Sequence, residues 1–160
     1  MLGAAATGVL VTAWATVRQV GGPYDTPPPN LAALSPKEYQ VFAIVGDFLI
    51  PPGGELPGSG GDETTMRGVD SFIHSALPDK RWLMRSLAHV FEHGTALDRY
   101  GARSLTRLPP HLQEVDLEAW ATSTTLVSAQ LWIAARSFYG FSYFDRPDVR
   151  DAIGFNAVCG

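Results

Sequence analysis

Cysteine is almost absent from this chain: Cys159 is the only one in 160 residues. No intrachain disulfide can form, and a thiolate metal site built by this chain alone is excluded. Charge is sparse as well. Charged residues make up 18% of the sequence, the formal net charge is -4, and no run of Lys or Arg occurs. A general nucleic-acid binder needs a basic surface to meet phosphates, so that class is set aside. Alternating apolar and polar runs are missing too, so nothing reads as a half-buried strand. Without a strand there is no dinucleotide fingerprint. Gly58-Ser59-Gly60-Gly61 lacks the Lys-Ser/Thr of a phosphate-binding loop. Serines 71, 123 and 128 have no nucleophile-elbow context.

What remains is a chain with a 46% apolar fraction and prolines and glycines gathered in clusters. That is a globular composition, and the length suits one domain with one real core. The clearest signal is a helix with both ends written in. Ser35 suits the cap, Pro36 the first helical position, and Glu38 the reciprocal bond of a capping box. Leu34 and Tyr39 have the spacing of a hydrophobic staple. Pro51 and Pro52 then remove donors and end the segment, so the pattern predicts a helix over 36–49.

The same rules predict helices over about 65–77 and 80–100, a helix opened by Leu108-Pro109-Pro110, one over 126–143, and a short one from Pro147 stopped by Gly154. Asp79 is placed to cap the second of these. The expected inward residues include Phe72, Ile73 and Leu77, then Trp82, Leu83, Leu87 and Phe91, then Val115 and Leu117. The 126–143 segment is apolar nearly all round, which implies burial in a core or under a partner. The fold class is therefore all-α: a single compact domain of five to six helices with long Pro/Gly-rich loops.

Residues 1–17 form an apolar segment, 18–34 a Pro-rich linker, and 35–160 the helical domain. Leu2 to Val17 carries no charge. It is shorter than the about twenty residues of a membrane span. It suits the apolar region of an export signal, with Ala13-Trp14-Ala15 as an A-x-A-like cleavage site. No positively charged region precedes it, so an ordinary apolar helix or a membrane-attaching segment stands as the competing reading.

One short motif carries possible chemistry. His89-Val90-Phe91-Glu92-His93 matches the H-x-x-E-H pattern of one class of zinc peptidase. Two histidines four apart share a helix face and can share a metal, with Glu92 as base and Glu114 or Glu118 as a further ligand. Against this stands the plain reading, an exposed helix face with two histidines. Asp47 sits beside Phe48 and needs a partner if buried. The aromatics cluster late: Trp132, Phe138, Tyr139, Phe141, Tyr143, Phe144 and Phe155. They exceed what one helix face can hide, and surplus apolar surface on a small domain marks an interface.

Leu34-Ser35-Pro36-Lys37-Glu38 leading to Leu49-Ile50-Pro51-Pro52, then Gly68 to Ile73, then Leu108-Pro109-Pro110-His111-Leu112-Gln113 leading to Trp120-Ala121-Thr122-Ser123, then Phe138-Tyr139 through Tyr143-Phe144 to Phe155, stand in a characteristic order. In that order the chain resembles the gluconate 2-dehydrogenase subunit 3 family, the small partners of GMC-type FAD-dependent alcohol and sugar dehydrogenases. The resemblance spans roughly residues 34 to 155. It implies a non-catalytic accessory subunit that carries a Tat-type signal and binds, stabilises and escorts a larger flavoprotein to the periplasm or cell envelope. It implies no catalytic residue, cofactor or metal in this chain, FAD in the partner, and room for a cytochrome c subunit in the complex. The arginine pair of a Tat signal is not present in Met1 to Val17. The expected partner anchors are Trp120, Trp132, Phe138, Tyr139, Tyr143 and Phe144, because aromatics dominate interface energetics. The alternatives are a zinc-dependent hydrolase using His89, Glu92 and His93, and a membrane-attached helical interaction protein held by residues 2–17.

Overall fold

The computed structural model describes residues 30–94 and 103–155. The apolar segment 2–17, most of the linker, residues 95–102 and Cys159 lie outside the described residues. Six α-helices and one 3-10 turn are present, with no strand among the described residues: α1 (Pro36–Leu49), α2 (Glu63–Ser75), α3 (Pro78–Gly94), the turn Leu105–Arg107, α4 (Pro110–Ala121), α5 (Leu126–Phe144) and α6 (Pro147–Ala152). The all-α expectation holds. No described helix is long and apolar enough to cross a membrane.

The helix ends follow local chemistry. The Ser35 hydroxyl accepts from the Glu38 N–H, and the Glu38 carboxylate accepts from the Ser35 N–H at 2.7 Å, which closes the capping box. At the start of α2, Asp62 accepts from the Thr65 N–H at 2.8 Å. The periodicity had placed this helix two residues later, and Asp62 is the cap it overlooked. Asp79 lies inside the first turn of α3 rather than capping it, because α3 already begins at Pro78. There its charge faces the positive end of the helix dipole.

Helix α5 packs against α1, α2 and α4, while α1 also meets α3. The core between them contains Val41, Phe42 and Val45 of α1, Val69 and Ile73 of α2, Leu87 and Phe91 of α3, Leu117 of α4, and Trp132, Ala135, Phe138 and Tyr139 of α5. Two edge-to-face contacts knit the far end: Phe91 with Trp120 at 5.2 Å, and Phe48 with Trp132 at 5.8 Å. The Tyr139 hydroxyl donates to the Phe42 carbonyl and so finds a partner inside this core. Burial, with the Asp47 charge nearby, pushes that phenol well above its usual range.

Two features tie irregular segments to the helices. Asp70 accepts from three successive backbone N–H groups, those of Ala32, Ala33 and Leu34, at 2.7, 2.9 and 2.8 Å. The end of the stretch read as linker therefore belongs to the folded body, and Leu34 is part of the core. The glycine-rich loop is also ordered by contact. A Cβ built on Gly46 would sit 2.3 Å from the Gly60 carbonyl oxygen, and one on Gly60 would sit 2.0 Å from that of Gly46. Two glycines in register let loop and helix backbones touch. Asp47 finds its partner here, accepting from the Ser59 hydroxyl at 2.7 Å and the Gly61 N–H at 2.9 Å.

Candidate interaction surface

The H-x-x-E-H motif lies on α3, with the His89 and His93 rings stacked 6.5 Å apart. Glu92 turns inward, is fully buried, and accepts from the Thr106 hydroxyl at 2.7 Å and the Thr106 N–H at 3.1 Å. It anchors the 3-10 turn, and its Oε1 lies 4.0 Å from the Lys37 ammonium. His93 Nε2 lies 3.3 Å from the Lys37 ammonium, and His89 Nε2 lies 3.6 Å from the Glu38 carboxylate. Burial, with Lys37 close by, depresses His93 below its ordinary value. No group of three His, Cys, Asp or Glu side chains converges on a metal-sized point among the described residues. Glu114 and Glu118 sit exposed on α4. The donor set, with a lysine ammonium beside one histidine and the glutamate spent on a backbone turn, does not fit a zinc centre.

Glu38 holds this cluster together. Its buried side chain accepts the cap bond from Ser35 and meets Arg85 at 2.9 Å. Burial opposes ionisation, yet His89, Arg85 and Ser35 outweigh it and hold the carboxyl down at about 2. The cluster is a structural clamp between α1 and α3. A second clamp centres on Arg146, which donates to Asp62 at 2.6 Å, Thr65 at 2.8 Å and Asp148 at 2.7 Å. It joins the cap of α2 to the start of α6.

The surface that chemistry leaves open is on α5. Apart from Gln130, Arg136 and Ser137, its outward stripe is apolar, and Leu126, Val127, Ile133, Phe141 and Phe144 are all exposed. These positions recur at helical spacing opposite Trp132, Ala135, Phe138, Tyr139, Ser142 and Tyr143, which face the core. Phe141 stacks on Phe72 of α2 at 5.9 Å, and Phe144 meets Tyr143 edge-on at 5.4 Å, so the exposed rings are held in place. Grooves flank this ridge on both sides. One, of about 500 Å3, runs between α5 and the end of α1, lined by Leu49, Ile50, Ile133, Arg136, Ser137, Tyr139, Gly140 and Phe144. The other, of about 520 Å3, runs between α5 and α2, with Phe72, Phe141, Ser142 and Arg146 among its walls.

The expected anchors therefore need correction. Trp132, Phe138, Tyr139 and Tyr143 are buried within this chain and present no free ring to a partner. Trp120 is half-buried against Phe91. Of the six, only Phe144 is largely outside, at 50% exposure. The inward and outward sets were mixed because the segment is apolar on both faces, which hides its phase. Ala135 and Ser142 mark the inner face, being small where α5 meets its neighbours, and they were the available clue. Three other expected core residues also lie outside: Leu77, Trp82 and Leu83 surround the α2–α3 turn, with Trp82 at 71% exposure. Val115 on α4 is exposed as well.

Comparison with protein-family models, with curated proteins and with solved structures gives no match.

Proposed function

We propose that this chain is a non-catalytic accessory subunit that binds, stabilises and helps export a larger GMC-type FAD-dependent oxidoreductase. The observation that carries the binding part is the apolar ridge of α5, with Ile133, Phe141 and Phe144 exposed between two grooves. Scattered surface apolar residues need no explanation, but a ridge of this kind on a small domain marks a contact site. A stable contact buries at least about 1,000 Å² in total, and the ridge with its two grooves supplies a centre around which that area is built. The identity of the partner comes from the order of segments over residues 34 to 155, which resembles the subunit 3 family. FAD and the catalytic base then belong to the partner. The export part is supported by the apolar segment 2–17, whose composition suits an export signal.

Stabilisation needs no further machinery. A subunit that binds only the folded partner shifts its folding equilibrium by about 2.7 kcal/mol at a hundredfold excess over Kd. Export of a prefolded cargo makes that shift useful. Co-expression of the full chain with a GMC-type flavoprotein from the same source tests the reading. The expected result is co-elution with FAD absorbance, lost in an Ile133→Asp/Phe144→Asp double variant that folds normally. A monomeric chain that leaves the flavoprotein's recovery and export unchanged would refute it.

A further inference from the structure

The groove between α1 and α5 has apolar walls and one charge. Leu49 and Ile50 form one side and Ile133 and Phe144 the other. Arg136 is its charged lining residue, and it makes no hydrogen bond or ion pair among the described residues. Gly140 leaves the floor open, since a Cβ built there meets nothing within 4 Å. Deepening the accessory-subunit reading, on which it rests, we infer that this groove receives an apolar segment of the partner bearing one Asp or Glu, whose carboxylate pairs with Arg136.

Three points favour this occupant. An apolar segment without a carboxylate would cover the guanidinium and leave it without a counter-charge, which is strongly unfavourable. The planar fork of Arg136 suits a carboxylate in two-bond geometry, giving the contact a register as well as an attraction. A second copy of this chain is a poor occupant. Arg136 lies near the middle of Leu126–Phe144, so an antiparallel two-fold pairing of α5 helices would bring two guanidinium groups together.

The test uses the full chain in its native host, with Ser137 replaced by the photocrosslinker p-benzoylphenylalanine. Ser137 is exposed and lines the groove, and its hydroxyl serves only the Ile133 carbonyl of its own helix. Crosslinked peptides are mapped by mass spectrometry. The expected product joins position 137 to an apolar segment with Asp or Glu within one helical turn. Arg136→Gln should cut its yield about tenfold, Arg136→Lys should retain part of it, and Gly140→Trp should abolish it. Circular dichroism of each variant separates a folding defect from lost docking. No crosslink, a mapped segment without a carboxylate, or unchanged yield in Arg136→Gln would overturn the inference. The subunit reading fails separately: a carboxylate-dependent crosslink to a protein without FAD would sink that reading and leave this one standing.

Discussion

Phe138 and Ile133 stand five residues apart on α5 and should behave as if they belonged to different proteins. Phe138 is 7% exposed, sits in the central core and meets Phe72 at 5.9 Å. Truncating it to Ala removes a ring from a packed interior and leaves a cavity, which costs about 3–5 kcal/mol. For a chain of this length each kcal/mol is worth about 2–4 °C in Tm, so Phe138→Ala should lower Tm by about 6 °C or more. Ile133 is 60% exposed, and most of its apolar area is already in water. Ile133→Ser should therefore change stability by no more than about 0.5 kcal/mol. Urea titration followed by far-UV circular dichroism measures both, and the m-value should be unchanged in each variant. If Ile133→Ser destabilised the free chain as much as Phe138→Ala, the outer ridge would be core, and the division of α5 into two faces would be wrong. A neutral Phe138→Ala would fail the reasoning from the other side.

Acid should loosen the α1–α3 clamp in two stages. His93 is depressed below 6.5 by burial and by Lys37, and Glu38 is held at about 2 against a usual 4.5. Both folded values lie below the unfolded ones, so both contributions are present at neutral pH and are lost as pH falls: His93 from about 6.5 downward, Glu38 between 4.5 and 2, where at most about 3 kcal/mol is at stake. The stability gap between the native chain and Glu38→Gln should close across that lower window; a constant gap would contradict the assignment. Gly46→Ala should be destabilising by about 1–3 kcal/mol, because the clash with the Gly60 carbonyl at 2.3 Å exceeds the helix-propensity gain of about 1 kcal/mol. Gly140→Ala should instead stabilise the free chain by about 0.5–1 kcal/mol, since the space is open; thermal melts of the two glycine variants should move in opposite directions. Asp70→Asn should speed hydrogen exchange at the amides of Ala32, Ala33 and Leu34, because an amide offers them one acceptor oxygen in place of two.

Helix α1 was legible from end to end because its cap, first proline and terminating prolines are local signals that tertiary contacts had no reason to override. The extent of α5 was equally plain, but its phase was not. Where both faces are apolar, the period that separates inside from outside vanishes, and Trp132, Phe138, Tyr139 and Tyr143 were assigned outward although the first three lie in the core cluster and Tyr143 is buried with its hydroxyl on the Pro57 carbonyl. The same limit placed Leu77 and Trp82 inside: the rule counts apolar spacing, whereas the α2–α3 turn carries these side chains beyond the reach of neighbouring helices. Asp70, Glu92 and Arg146 gave no sequence signal as structural hubs, since each has a partner far off in the chain, at 36, 14 and 84 residues. Glu92 was legible only as part of a metal motif, and its true partner, Thr106, is set by the fold.

The central claim is that a partner covers the outer face of α5. Hydroxyl-radical footprinting of the full chain, free and mixed with the proposed flavoprotein partner, measures this directly at Ile133, Phe141 and Phe144. Those three side chains should react readily in the free chain and be protected several-fold in the complex, while Trp82 at the far turn stays equally reactive in both. Equal reactivity of Ile133, Phe141 and Phe144 in the two states would contradict the account.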